Sequence, residues 1–182
     1  IDFIAYNSAI KQISPSQEGG PGYGIALLNN QLFVGTSTGL YQAPLKVASD
    51  LSYVLSNFKK IESSEGQIWN LTIIDNRLFA GHHEGGFVVA NGKANYFNRI
   101  AGNWNFVPVA AKGKSKLAIG NYQGIAFIEQ TENSFTSKTA VPNFEESSRY
   151  MVADNQGNLW VSHPYHGVYR VSNKETVPTI IK

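Results

Sequence analysis

The chain has 182 residues, 42% of them hydrophobic and 15% charged, with a net charge of +2. A chain of this length buries roughly 70% of the surface its unfolded form exposes, enough for a core without covalent staples. The absence of cysteine excludes disulfides and thiolate chemistry, and no apolar run near the ~18 residues of a membrane span is present.

In chain order, residues 1–21 read as part of a preceding blade and a linker: FIAY (3–6) and AIKQI (9–13) are short outer strands, and PSQEGGPG (15–22) connects onward. The first full unit, 22–63, holds GIALL (24–28), a turn at Asn29 and Asn30, LFVGT (32–36), LYQA (40–43) and a weak outer strand near Phe58 to Ile61. The second, 67–100, has IWNLTII (68–74), a turn at Asp75 and Asn76, RLFAG (77–81), FVVA (87–90), a turn at Asn91 and Gly92, and ANYFNRI (94–100). The third, 104–139, has NFVPVAA (105–111), a turn through Gly113, KLAIG (116–120), IAFIEQ (125–130) and SFTSKT (134–139). The fourth, 148–182, has YMVAD (150–154), a turn at NQGN (155–158), LWVS (159–162), VYRV (168–171) and TVPTII (176–181). Asn, Asp and Gly suit these turns because they tolerate positive φ and bond locally to the backbone. No stretch shows sustained helical periodicity.

These units share one phrase: LFVGTSTGLY, LFAGHHEGGFVV, LAIGNYQGIAFI and LWVSHPYHGVYRV. Its second glycine falls at Gly39, Gly85, Gly124 and Gly167, at intervals of 46, 39 and 43 residues, which suits one four-stranded propeller blade per repeat. The expected fold is therefore all-β, a β-propeller with about four four-stranded blades present. A four-bladed ring of about this length is possible in principle, but a larger ring is the preferred reading; a piece of one exposes an unpaired flank, to be covered by neighbouring blades or a second chain. The basic residues are scattered, and Lys112, Lys114 and Lys116 read as a solvated hairpin tip, so no nucleic-acid partner is expected.

QLFVGTSTGLY and ADNQGNLWVSHPYHGVYRV resemble the two-component regulator propeller repeats, of general form D-x-x-G-x-LW-V-G-T-x-x-G-L-y. Asp154, Gly157, Leu159, Trp160, Val161, Gly167 and Tyr169 match in the fourth copy, where Ser162 replaces the usual Gly; Ala118 departs in the third. The resemblance implies a periplasmic input region of a hybrid histidine kinase or a membrane-bound helix-turn-helix regulator. It further implies an oligosaccharide ligand, no catalysis by this domain, a homodimeric parent protein, and membrane attachment only through parts outside this chain.

In such an array the turns between the second and third strands share a face with the segments leading into the inner strands, and that face is the expected binding surface. It gathers Thr36, Ser37, Thr38, His82, His83, Glu84, Asn121, Tyr122, Gln123, His163, Tyr165 and His166 from the turns, and Tyr23, Trp69, Trp104, Arg149 and Tyr150 from the inner-strand mouths. Tyr23, Trp69 and Tyr150 each stand twelve residues before Gly35, Gly81 and Ser162, which aligns three aromatics. They read either as sugar-stacking platforms or as fillers between blades.

The histidines, with Glu84, raise zinc ligation, but neither pair has a recognised zinc spacing, so no metal or other cofactor is expected. Glu84, Glu145 and Glu146 are the acids a glycosidase or lyase would draw on, by default only. No nucleophile elbow or phosphate-binding loop is present. A pure interaction scaffold is the other alternative to a ligand sensor.

Overall fold

The structure, a computed structural model, describes residue 15 and residues 22–45, 58–109, 116–130, 135–138, 141–172 and 179–182. The expected strands at 3–6 and 9–13, nearly all of the linker, and the tip carrying Lys112 and Lys114 lie outside the described residues.

Among the described residues there are sixteen strands in four four-stranded antiparallel sheets and no helix. The first sheet comprises β1 (Gly22–Leu28), β2 (Gln31–Thr36), β3 (Gly39–Pro44) and β4 (Lys59–Lys60). The second comprises β5 (Ile68–Ile74), β6 (Arg77–His82), β7 (Gly85–Ala90) and β8 (Lys93–Asn98). The third comprises β9 (Asn105–Val109), β10 (Lys116–Asn121), β11 (Gly124–Gln130) and β12 (Phe135–Lys138). The fourth comprises β13 (Tyr150–Ala153), β14 (Leu159–His163), β15 (Gly167–Ser172) and β16 (Thr179–Ile181). Within each sheet the strands lie in sequence order, and β1 packs on β5, β5 on β9, and β9 on β13. This arrangement is consistent with a propeller-like array whose first strands line the inside.

Local chemistry explains the hairpins. Asn29 and Asn30, Asp75 and Asn76, and Asn91 and Gly92 all have positive φ, the backbone a two-residue turn needs to match the twist of its strands. The β13–β14 turn is built differently. The Asp154 carboxylate accepts hydrogen bonds from the backbone of Gln156 (2.9 Å) and Asn158 (2.9 Å), from Asn158 Nδ2 (2.8 Å) and from Trp160 Nε1 (3.0 Å). Gly157 completes the turn at φ 81°. The Asp, Gly and Trp of the repeat motif thus form one hydrogen-bonded unit, and its donors hold the Asp154 pKa well below the usual carboxylate range.

Three apolar clusters fill the three gaps between consecutive sheets. Phe33, Leu40, Ile61, Ile68, Leu78 and Phe87 join the first two sheets; Phe79, Val88, Phe106, Ile119 and Ile128 join the second and third. Ala118, Ile125, Met151, Val161, Tyr169 and Val171 join the last two.

The inner strands are not covered on both faces throughout: Ile25 and Leu27 of β1, Ile73 of β5 and Val152 of β13 are exposed, and so is Val168 of the third strand β15. The pairing register makes the comparison direct: Phe33, Phe79, Ala118 and Trp160 occupy equivalent second-strand positions. The first three are 6%, 2% and 0% exposed against the following sheet, whereas Trp160 is 39% exposed. Its face is that of an inter-sheet contact with no sheet set against it among the described residues.

The repeat glycines follow the same logic. A Cβ on Gly35 would come within 2.6 Å of Ile68 Cγ2, and on Gly81 or Gly120 it would strike the carbonyl of Asn103 or Ser148. Glycine at these positions lets the segment leading into the next sheet close against β2, β6 and β10. Ser162 takes this position on the fourth sheet and is exposed, so the departure from glycine falls where no following sheet closes against the strand among the described residues.

Candidate functional site

The four segments leading into the inner strands each contribute one residue to a continuous row. Tyr23 meets Trp69 edge-on with ring centroids 5.6 Å apart, Trp69 meets Trp104 at 4.6 Å, and the Arg149 guanidinium lies 4.9 Å from the Trp104 ring. The row therefore crosses all four sheets.

Register explains this alignment. Gly24 pairs with Gly35, Asn70 with Gly81, Asn105 with Gly120, and Tyr150 with Ser162. The residue before each first partner is Tyr23, Trp69, Trp104 and Arg149 respectively. In the first two sheets the ladder shifts by one at this point, so Tyr23 and Trp69 are the extra residues of β-bulges. Such bulges release a side chain from strand alternation and re-aim it.

The twelve-residue count corrects as follows. It selects Tyr150 in the fourth sheet, where register selects Arg149, because a longer β13–β14 turn replaces the bulge in the count. It also passes over Trp104, which stands further upstream of Gly120 because the β9–β10 connection is long. Tyr150 nonetheless adjoins the row, since its ring lies 5.5 Å from the same Arg149 guanidinium and is 61% exposed.

Two turn residues widen the row. Tyr122, on the β10–β11 turn, packs on Trp104 with centroids 5.0 Å apart, and its hydroxyl lies 2.9 Å from His83 Nδ1. Gly102, at φ 71°, sits beneath the Tyr122 ring, where a Cβ would enter it. Burial raises the Tyr122 pKa, and the nearby Trp69 indole N–H, which stops short of a hydrogen bond, offsets part of that shift. The Nε1 atoms of Trp69 and Trp104 and Oδ1 of Asn105 are buried with no hydrogen-bond partner. Asn105 Nδ2 donates to the Arg149 carbonyl at 3.0 Å, which ties the third sheet to the position of the guanidinium.

His82 turns the other way. It is 1% exposed; its Nε2 donates to the Glu65 carbonyl at 2.9 Å, and Nδ1 accepts from Glu84 N at 3.1 Å and Tyr96 Oη at 3.2 Å. Burial lowers its pKa, with the Glu65 bond partly opposing. It is a packing group that holds the β6–β7 turn, whereas its neighbour His83 is exposed on the face.

His163 and His166 form a second cluster around Glu146. Their rings stack with centroids 4.3 Å apart. Glu146 Oε2 accepts from His166 Nδ1 at 2.7 Å and lies 3.8 Å from His163 Nε2, while Oε1 accepts from the Tyr169 hydroxyl at 2.9 Å. The His166 and Tyr169 hydrogen bonds lower the Glu146 pKa.

The three side chains offer ligand atoms within 4.8 Å of one another, but their protons oppose a metal. His163 Nδ1 accepts the backbone N–H groups of Tyr165 and His166 at 3.2 and 3.1 Å, so its proton is on Nε2, facing Glu146. His166 likewise directs its Nδ1–H at the carboxylate. The arrangement is a hydrogen-bonded histidine and carboxylate cluster. Tyr165, 89% exposed, projects beside it, with its ring 6.2 Å from His163. Glu146, which sequence reasoning considered only as a default acid, is the centre of this group; nothing in the repeat spacing marks it.

A separate concavity of about 160 Å³ opens at the far end of the second and third sheets, beside Asp75, Arg77, Lys116 and Phe135. It is smaller than the ~300–1,000 Å³ usual for ligand pockets and does not reach the row.

No protein-family model matches the chain, and no curated protein matches it either. Among solved structures it is similar to the extracellular domain of a putative one-component system from B. thetaiotaomicron. That likeness has a TM-score of 0.64 at 15% identity, covering 92% of this chain and 22% of the other. It is also similar to the computationally designed Ika4 protein (TM-score 0.57, 10% identity, 90% of this chain and 97% of the other). A third likeness is to apo AztD from Citrobacter koseri (TM-score 0.55, 9% identity, 90% of this chain and 48% of the other). At these identities the likenesses concern the fold, and this chain spans about a fifth of the bacterial extracellular domain.

Proposed function

We propose that this chain belongs to the extracytoplasmic input region of a bacterial signal-transduction or transcription regulator, and that it binds a carbohydrate without transforming it. The observation that carries this reading is the row Tyr23, Trp69, Trp104 and Arg149, flanked by Tyr122, His83 and Tyr150. Aromatic faces accept the C–H faces of sugar rings, while the hydroxyl, imidazole and guanidinium groups beside them supply hydrogen bonds. The fold likeness to the extracellular domain of a one-component system supports the sensing role and an extracytoplasmic location, which this reading takes to be the periplasm.

The same reading takes the sheets as part of a larger propeller in the parent protein. Its support is the exposed Trp160 and Val168, set at positions whose equivalents are buried between sheets. Titration calorimetry of the 182-residue chain with oligosaccharides drawn from a glycan array tests the reading. Binding that Trp69→Ala and Trp104→Ala each weaken at least about tenfold supports it; a glycan bound equally well by both variants removes the row from consideration. Turnover of a bound glycan that is lost on replacing Glu146 or Glu84 would overturn the non-catalytic part.

A further inference from the structure

The row ends in a cation. Arg149 is exposed, and its guanidinium lies 4.9 Å from the Trp104 ring centroid and 5.5 Å from that of Tyr150. The backbone carbonyl of Arg149 is fixed by Asn105. Among the described residues no carboxylate pairs with it.

This contrasts with the lysines around it in the array. Lys60, Lys93 and Lys116 each lie within 4.0 Å of a glutamate, and the acid nearest to Arg149 in sequence, Glu146, is engaged by His166 and Tyr169. Two aromatic rings restrict the guanidinium and leave its N–H fork unanswered. A planar fork with five donors matches a carboxylate or sulfate bidentately, and a cation held before binding loses less entropy in making that contact.

We infer that Arg149 is the anion-recognising end of the row, and that the ligand is an acidic oligosaccharide: neutral faces of its sugar rings rest on Trp69 and Trp104, and a carboxylate or sulfate on one sugar meets the Arg149 guanidinium. This rests on the carbohydrate reading above and narrows it. The direction of the ligand follows, since the charged sugar lies toward the fourth sheet and uncharged ones toward Tyr23.

Calorimetry with matched probes tests the inference on the full chain. The probes are an oligogalacturonate and its methyl ester, and a sulfated chondroitin oligosaccharide and its desulfated form; each pair keeps its rings and differs in one kind of charge. The expected result is that at least one acidic probe binds about tenfold or more tighter than its counterpart and that the advantage shrinks with added salt. Arg149→Met brings the two affinities together and Arg149→Lys retains part of the difference. Unfolding midpoints of both variants verify that the fold is kept.

Which pair shows the preference tells carboxylate from sulfate. If the methyl-esterified and desulfated probes bind as well as their counterparts and Arg149→Met changes neither ratio, the anion assignment is overturned while the carbohydrate reading stands. If neither charged nor neutral sugars bind, in these pairs or across a glycan array, both are overturned.

Discussion

The α-carbon of Gly120 lies against the carbonyl oxygen of Ser148, and a methyl group on it would overlap that oxygen. Ser148 belongs to the segment leading into β13 and is held there by its own N–H bond to the Asn121 carbonyl at 3.0 Å. Neither backbone yields without disturbing the contact between the third and fourth sheets. Gly120→Ala is expected to destabilise the chain by about 1–3 kcal/mol, the range for overpacking. The reverse change at the equivalent exposed position, Ser162→Gly, is expected to cost no more than about 1 kcal/mol. Urea unfolding of both variants checks the contrast; equal losses would remove the close-approach explanation.

His82 makes stability depend on pH. Its folded pKa is lowered by burial, so on acidification the unfolded chain takes up the proton first and gains stability relative to the native state. The contribution is complete above the unfolded value of about 6.5 and declines as pH falls from there toward the folded pKa. Unfolding midpoints measured across that interval should fall with pH. His82→Gln should flatten this limb at a cost of about 1–3 kcal/mol at neutral pH, because the buried imidazole's hydrogen bonds to the Glu65 carbonyl and the Tyr96 hydroxyl lose their geometry.

Asp154 acts at lower pH. Its carboxylate collects four donors, and its folded pKa is depressed by the Asn158 and Trp160 hydrogen bonds. The stabilisation is present above the unfolded pKa of about 3.9 and is lost as pH falls through the folded value. Asp154→Asn should lower the thermal midpoint at pH 7 and blunt its dependence on pH below about 4. Trp160 fluorescence, followed in a background lacking the other two tryptophans, should report the loosened turn.

The Trp69 and Trp104 rings, 4.6 Å apart and tilted by 48°, are close enough for exciton coupling. Circular dichroism should show a couplet that either Trp69→Phe or Trp104→Phe removes. Trp160→Phe should leave it in place, since Trp160 has no ring partner among the described contacts. A couplet surviving both substitutions would place the two rings apart in solution.

The repeat made the sheets readable. Alternating apolar residues and the Asn, Asp and Gly turns placed the sixteen strands of the described residues because each is decided by local periodicity and turn chemistry. The row was only partly readable for the same reason. Counting along the chain aligned Tyr23 with Trp69, where both sheets carry a bulge and a two-residue turn. It then gave Tyr150 in place of Arg149, because a bulge and a longer turn shift the count alike while only register tells them apart. His82 and His83 are adjacent and chemically identical in sequence; strand alternation sends one into the Phe87 and Tyr96 contacts and the other outward. Glu146 lies in the segment leading into β13, at a position where neither the repeat motif nor its spacing marks an acid.

Ser162 and Trp160 give the sheet stack a polarity. One end presents Ile25 and Leu27 along an inner strand, and the other presents Val152, Trp160, Val168 and Ile181 across a whole sheet. Neither end matches the positions of the other, so joining one copy's first sheet to another's fourth makes a head-to-tail contact. Such a contact either closes after a fixed number of sheets or continues without limit, and the angle between successive sheets sets which of the two occurs.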